Sequence, residues 1–156
     1  MRALDLAVEY ETVALDSDAI DAARLMAGHR LPALLVLDEH GAPAAILPAS
    51  QMIRILVPEY VIEDPALAAV VDERHADRLC EALRGRRVRD CLSDTAPSPA
   101  IAAPDDTALE VAALMARVRS PLVAVVEEAD RGRSPGRLLG VITASHLLER
   151  LLAAGS

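Results

Sequence analysis

Few side chains in this 156-residue chain carry the chemistry of a site. Thr143 and His146 follow the apolar run 138–142 at the point where a helix pattern starts. A hydroxyl there caps the helix or donates to an anion, and the imidazole is either a surface group or a ligand contact. Arg30 and Arg119 each stand two residues ahead of a proline that opens an aliphatic run. A guanidinium so placed can grip a phosphate through two parallel hydrogen bonds, and a solvated loop arginine is the plainer alternative. Arg84, Arg86, Arg87 and Arg89 cluster in an acidic chain. They suit an anion or an acidic partner, although such residues more often complement a helix C-terminus. The four histidines and the two cysteines, Cys80 and Cys91, lack metal-ligand spacing; His75 near Asp72 and Asp77 fits an exposed helix face. No serine elbow, P-loop or dinucleotide glycine fingerprint is present, so no catalytic residues are assigned and the chain is not read as an enzyme.

The elements that would position these groups follow from periodicity. Thr107 and Glu110 have the spacing of a capping box, and Leu109, Ala112, Ala113, Met115 and Ala116 follow at helical intervals. The runs 122–126 and 138–142 are too short for helices and rich in Val, Leu and Ile, which marks them as buried strands. A helix over about 144–152 closes this unit. The polar stretch 127–137 between the strands has two glycines and a proline and is expected to be a mobile hairpin loop.

The same unit occurs earlier in the chain. An offset of 89 places Leu114-Met115 on Leu25-Met26, Pro121 on Pro32, Arg119 on Arg30 and Asp105 on Asp16. Beyond the hairpin the offset becomes 95 and sets Gly140-Val-Ile-Thr-Ala-Ser-His on Ala45-Ile-Leu-Pro-Ala-Ser-Gln. An internal duplication with one insertion in the second loop accounts for both offsets. In the first copy, a short helical lead-in is expected at 2–6, a strand at 10–15, a helix from a cap among Asp16, Ser17 and Asp18 to about Gly28, strands at 33–37 and 44–47, and a helix at 49–56. In the second copy, 89–92 and 99–103 match the lead-in and the first strand. Between them, Asp64-Pro65 starts and Gly85 stops a stretch expected to be one long helix or a broken pair, with Arg74–Asp77 and Arg78–Glu81 as side-chain pairs.

Capped helix, X-Pro, aliphatic strand, turn, second strand ending Gly-Val-Ile-Thr, then helix: this order resembles the CBS domain, and two copies resemble a Bateman module. The resemblance covers roughly 2–56 and 88–152 and is most specific in the second copy. It implies an α+β fold of two pseudo-symmetric β-α-β-β-α units, strand faces together and helices outside. The units are expected at 1–57 and 88–156, with an extra helical segment at 58–87. It also implies a regulatory or sensory role, with AMP, ADP, ATP or S-adenosylmethionine as a regulatory ligand and no required cofactor. In the family pattern Gly-h-h-Thr/Ser-x-x-Asp, where h is an apolar residue, the hydroxyl contacts phosphate and the Asp accepts from the ribose. Thr143 matches the hydroxyl and His146 replaces the Asp; Ser145, Arg119, Pro121, Ile101 and Arg30 complete the implied site. Pro48 and Gln51 replace both groups in copy one, so binding is expected in copy two. The alternative is a scaffold that has lost its ligand and keeps the fold for dimerisation. Family members associate through helices, which implies a homodimer acting on a separate protein partner in trans.

Composition bounds the rest. A chain of this length buries about 70% of the surface its unfolded form exposes, whereas either half alone would be marginal. Hydrophobic residues make up 53% of the sequence with no Phe or Trp, so aliphatic side chains must build the core. The net charge of −8, with every Lys/Arg cation an arginine, argues against nucleic-acid binding. The N-terminal stretch, broken by Asp5 and Glu9, does not read as a signal peptide, and no run is long enough for membrane insertion. The two isolated thiols fit a reduced, cytoplasmic protein.

Overall fold

A computed structural model describes residues 1–70, 79–94, 96, 98–127 and 136–155. Its elements, in chain order, are α1 (Ala3–Leu6), β1 (Thr12–Ala14), α2 (Ala19–Gly28), β2 (Ala33–Leu37), β3 (Pro43–Pro48), α3 (Ala49–Leu56) and α4 (Glu59–Glu63). After two 3₁₀ turns come α5 (Val88–Cys91), β4 (Ile101–Ala102), α6 (Ala108–Val118), β5 (Leu122–Val126), β6 (Leu138–Thr143) and α7 (Ala144–Ala154).

Each copy builds a three-stranded sheet in the order β1-β2-β3 or β4-β5-β6. The first pair is parallel because a capped helix carries the chain across, and the second is antiparallel because a short turn joins it. Asp18 caps α2, its Oδ1 accepting from Ile20 N at 2.8 Å. Thr107 and Glu110 form the capping box on α6, at 3.2 and 2.7 Å. Asp38 organises the first hairpin by accepting from the backbone N–H of His40 and Ala42 at 2.8 and 3.0 Å. The duplication extends to irregularities: register slips between Val36 and Leu37 in one sheet and between Val125 and Val126 in the other. Arg30 and Arg119 both lie in the left-handed region, at φ 54° and 53°, where each helix ends.

Side-chain alternation then assembles the molecule. On β2, Leu34 and Val36 point to a core shared with α2, α3 and α5. On β5, Val123 and Val125 do the same with α6 and α7. The intervening residues Ala33, Leu35, Leu122 and Ala124 join Val141 in a third core between the sheets. A strand buried on both faces needs a continuous apolar run rather than an alternating one, and that is why both strands read as such. The expected face-to-face arrangement with helices outside is what forms.

The short lead-ins are exchanged between the copies. α1 packs into the second copy's core through Ala3 and Leu6, and α5 into the first copy's through Val88 and Cys91. Backbone bonds repeat the exchange: Ala3 N–H to Asp106 O at 2.7 Å and Leu4 N–H to Pro104 O at 3.1 Å. Their counterparts run from Val88 N–H to Ser17 O at 2.8 Å and from Arg89 N–H to Leu15 O at 2.9 Å. Arg2 Nη1 donates to Asp105 O at 3.1 Å and Arg87 Nη1 to Asp16 O at 2.6 Å, so one arginine of the basic cluster is already engaged.

Two expectations change. The stretch from Pro65 onward is not α-helical in its described parts: Pro65–Val70 and Leu79–Leu83 are 3₁₀ turns preceded by α4. Asp64 both caps the turn, accepting from Ala66 N–H at 3.2 Å, and closes it at three-residue spacing through Leu67 N–H to Asp64 O at 3.0 Å. Gly85, at φ 77°, stops the segment as expected. The first strand of each copy is shorter than its sequence run, and Pro99, lacking an N–H, cannot join the ladder. The expected pairs Arg74–Asp77 and Arg78–Glu81, His75 and most of the stretch 127–137, for which mobility was expected, lie outside the described residues; Glu127 N–H donates to Arg137 O at 2.8 Å.

Because Leu6 is fully buried in the second copy's core, Leu6→Ala should cost about 2–5 kcal/mol in urea unfolding. Amide exchange should accelerate first in β5 and β6. Acceleration confined to β2 and β3 would contradict the exchange of lead-ins.

Candidate ligand-binding site

The sequence duplicates its strand–helix junction, yet the structure makes the two clefts unequal. A partly enclosed cavity of about 350 Å³ opens at the first junction, a size within the range of small-molecule sites. Pro48, Ser50 and Gln51 form one side of it, at the end of β3 and the start of α3. Val118, Arg119, Ser120 and Pro121, from the turn between α6 and β5, form the opposite side. Leu92, Ser93, Ala96 and Ser98, from the segment after α5, where Ala96 N–H closes a turn on Ser93 O at 2.9 Å, supply a third wall.

Its polar groups are few and mostly positioned. Gln51 Nε2 donates to Cys91 O at 3.2 Å, which fixes the amide plane and leaves its oxygen as an acceptor. Ser120 is spent on its own turn, donating to Leu122 O at 2.7 Å. No side chain caps α3, since its N-cap residue is Pro48. First-turn N–H groups without a capping acceptor carry partial positive charge. Arg119 is exposed at the mouth, and no carboxylate lines the cavity among the described residues. With Ile46, Leu47, Leu92, Val118 and Pro121 around it, the space suits a flat, largely apolar body that ends in an anion.

The second junction is occupied by the chain itself. Val8 and Val141 exchange two backbone hydrogen bonds, both 2.9 Å, so the segment after α1 adds to β6 as a further bridge. Gly140 permits this, because a Cβ there would stand 2.9 Å from Ala7 Cβ and 3.1 Å from Val8 O. Its counterpart in copy one is Ala45, which carries the methyl group that Gly140 lacks. Length acts in the same direction: four residues separate Ala7 from Thr12, but eight separate Leu92 from Ile101. The shorter segment bridges to its sheet at Val8–Val141. Beside it lies a wider and more open depression of about 690 Å³ lined by Glu9, Tyr10, Glu11, His29 and Leu138–Val141, with two carboxylates and no arginine. Tyr10 closes its floor by donating to Ala33 O at 2.6 Å, and burial pushes its phenol pKa up.

The residues singled out from sequence are therefore divided. Arg119 and Pro121 line the partly enclosed cavity, whereas Thr143, Ser145, His146, Ile101 and Arg30 do not. Thr143 caps α7, accepting from His146 N–H at 3.2 Å, with Ser145 Oγ at 3.4 Å. His146 Nδ1 sits 3.9 Å from Glu149 on the same helix. Ile101 is exposed on β4, and Arg30 is exposed at its helix end. Sequence reasoning did not single out the wall residues Leu92, Ser93, Ala96 and Ser98; the extra length of their connection relative to the first copy was the available signal. Among the described residues, no group of His, Cys, Asp and Glu could hold a metal.

Two β-α-β-β-α units packed sheet to sheet, with a cleft at the strand–helix junction, define a paired-repeat module. Residues 88–153 match the family profile of the CBS domain. A CBS domain-containing protein of unknown function from Kribbella flavida is 47% identical, with a TM-score of 0.86 and coverage of 97% of this chain and 99% of that one. The chain belongs to the CBS-domain family, as a tandem pair. The fold also matches CBSX2 of Arabidopsis thaliana, solved in complex with AMP, at 16% identity and a TM-score of 0.67, covering 99% and 98% of the two chains. The CBS domain of a bacterial CNNM/CorC family Mg²⁺ transporter, solved in complex with ATP, matches at 15% identity and a TM-score of 0.67, covering 97% and 87%. No curated protein matches the chain by sequence.

The glycine asymmetry is testable. Gly140→Ala should destabilise by about 1–3 kcal/mol through overpacking and speed exchange of the Val8 amide. Ala45→Gly should cost no more than about 1 kcal/mol. Equal losses at the two positions by thermal unfolding would refute the closed-cleft assignment.

Proposed function

We propose that this chain is a regulatory CBS pair that takes one adenosyl ligand per chain in the cavity at the first strand–helix junction. The partly enclosed cavity carries this reading: apolar walls, one arginine at the mouth and no lining carboxylate among the described residues. The adenine lies between Ile46, Leu92 and Pro121, and the anionic end meets Arg119 and the uncapped start of α3. Gln51 stands where the family pattern has Asp and accepts from the ribose without charge, which weakens that contact. AMP, ADP and ATP fit this description through their phosphates, and S-adenosylmethionine only through its carboxylate. Complexes of the similar folds with AMP and ATP support the ligand class.

The role is to report ligand occupancy rather than to catalyse a reaction, and it needs no cofactor. Ser50 and Gln51 line both the cavity and a groove on the outer side of α3, so occupancy can be passed to that surface. The output is a change in affinity for a separate protein partner, exerted in trans from a homodimer in the cytoplasm. Support for this setting comes from the net charge of −8, which disfavours nucleic acid, and from the fact that no described helix is long and apolar enough to cross a membrane.

Calorimetry with AMP, ATP and S-adenosylmethionine tests the ligand assignment. Arg119→Ala should weaken binding about 10- to 100-fold, the worth of a charged hydrogen bond of roughly 1.5–3 kcal/mol. Thr143→Ala should lower stability by about 1 kcal/mol while leaving affinity within a factor of about two. Loss of binding in Thr143→Ala with retention in Arg119→Ala would move the site to the second cleft. No heat and no thermal shift with any of the three would favour a ligand-free scaffold. Sedimentation equilibrium should give twice the chain mass at micromolar concentration, and a single-chain mass would overturn the homodimer.

A further inference from the structure

Gln51 stands in the first turn of α3, and its Nε2 donates to Cys91 O at 3.2 Å. Cys91 is buried and directly precedes the wall residues Leu92 and Ser93. A backbone carbonyl only accepts, so the side chain facing it must bring a donor. A carboxylate at position 51 would set oxygen against oxygen. An amide meets the need and keeps one oxygen, Oε1, for a ligand. Packing of α3 against the segment after α5 therefore favours a neutral group at 51. The charge around the cavity follows the same sign. α3 has neither an acidic residue in its first turn nor a side-chain cap, and Arg119 is exposed at the mouth. Asp94 is the sole carboxylate of the stretch 92–98, and it is exposed and does not line the cavity. Among the described lining residues, a guanidinium and a partly positive helix start thus meet no negative group that would offset them.

We infer that Gln51 makes this cavity select adenosyl ligands by charge, so that phosphate-bearing adenine nucleotides bind and the sulfonium ligand S-adenosylmethionine is disfavoured. This rests on the adenosyl site proposed above and narrows its ligand class. A phosphate brings the negative charge that Arg119 and the start of α3 call for. S-adenosylmethionine can offer its carboxylate to Arg119, but its fixed positive sulfur stands on the ribose 5′ carbon, and its amino group adds another cation. With Gln51 in contact with the ribose, the nearest side chain to that sulfur is neutral. Apolar walls keep water from screening the unbalanced charge, which makes the discrimination larger than it would be on an open surface.

Calorimetry on the full chain with AMP, S-adenosylmethionine and S-adenosylhomocysteine tests this, because the last keeps the amino-acid part on a neutral sulfur. The wild-type chain should bind AMP tightest, and S-adenosylhomocysteine about tenfold tighter than S-adenosylmethionine. Burial of the extra methyl group would by itself favour S-adenosylmethionine, so the opposite order reports charge. Gln51→Glu adds a carboxylate at unchanged size; it should bring the two sulfur ligands within about twofold of each other and weaken AMP about tenfold. Gln51→Met gives up the same donor to Cys91 O without adding charge, so all affinities should fall while the ratio between the sulfur ligands stays as in the wild type. Ratios within one variant do not depend on the fraction of chain that is folded. The wild-type order decides the charge selection even where Gln51→Glu fails to fold. S-adenosylmethionine binding as tightly as S-adenosylhomocysteine in the wild type overturns the selection and leaves the adenosyl site standing. The same ratio in Gln51→Glu and Gln51→Met overturns the part given to Gln51. No heat from any of the three ligands in the wild type overturns both the selection and the site.

Discussion

The packing of β2 against β5 is the constraint on which the rest of the structure depends. Each strand is the middle member of its sheet and is buried on both faces, so each must be aliphatic along its length. One face of each strand closes its own copy's core, and the other forms the core between the sheets. With no Phe or Trp in the chain, this contact is made by Ala, Val and Leu, which lets the two sheets approach closely. Neither copy could keep such a strand covered alone. The exchange of α1 and α5 adds a second tie, since each copy's core is completed by a helix that precedes the other copy's first strand.

Pseudo-symmetry of this kind duplicates a site only in principle. Both strand–helix junctions are in place, and the backbone repeats down to the paired left-handed arginines and the paired register slips. One missing methyl group at position 140 and a shorter connecting segment let the N-terminal chain bond to β6 across one junction. The copy that better preserves the family signature is thus the one whose junction the chain itself bridges, leaving a wide, open depression, and the degenerate copy retains the more enclosed cavity. Pro48, which has no hydroxyl, leaves the start of α3 without a side-chain cap.

Much of the fold was legible in the sequence because its determinants are local. The apolar runs at 33–37 and 122–126, the caps at Asp18 and Thr107 and the stop at Gly85 all act within a few residues of where they stand. The offsets of 89 and 95 disclose the duplication, and the Gly-Val-Ile-Thr run carries the family resemblance. The 3₁₀ turns after Asp64 were not legible: helical spacing of apolar residues does not distinguish a continuous α-helix from tight turns.

The sequence alone determined the two-unit α+β class, the middle strands, the capped helices and a short set of groups suited to an anion. Tertiary structure decided which of those groups share a space. Arg119 and Pro121 come together with Pro48, Ser50 and Gln51 of the other copy, while Thr143 is turned to capping α7. That division depends on the approach of Ala7–Val8 to Gly140, a contact between residues more than a hundred positions apart. No periodicity records such a contact, because its free energy depends on the distance between two chain segments and not on either segment's own pattern.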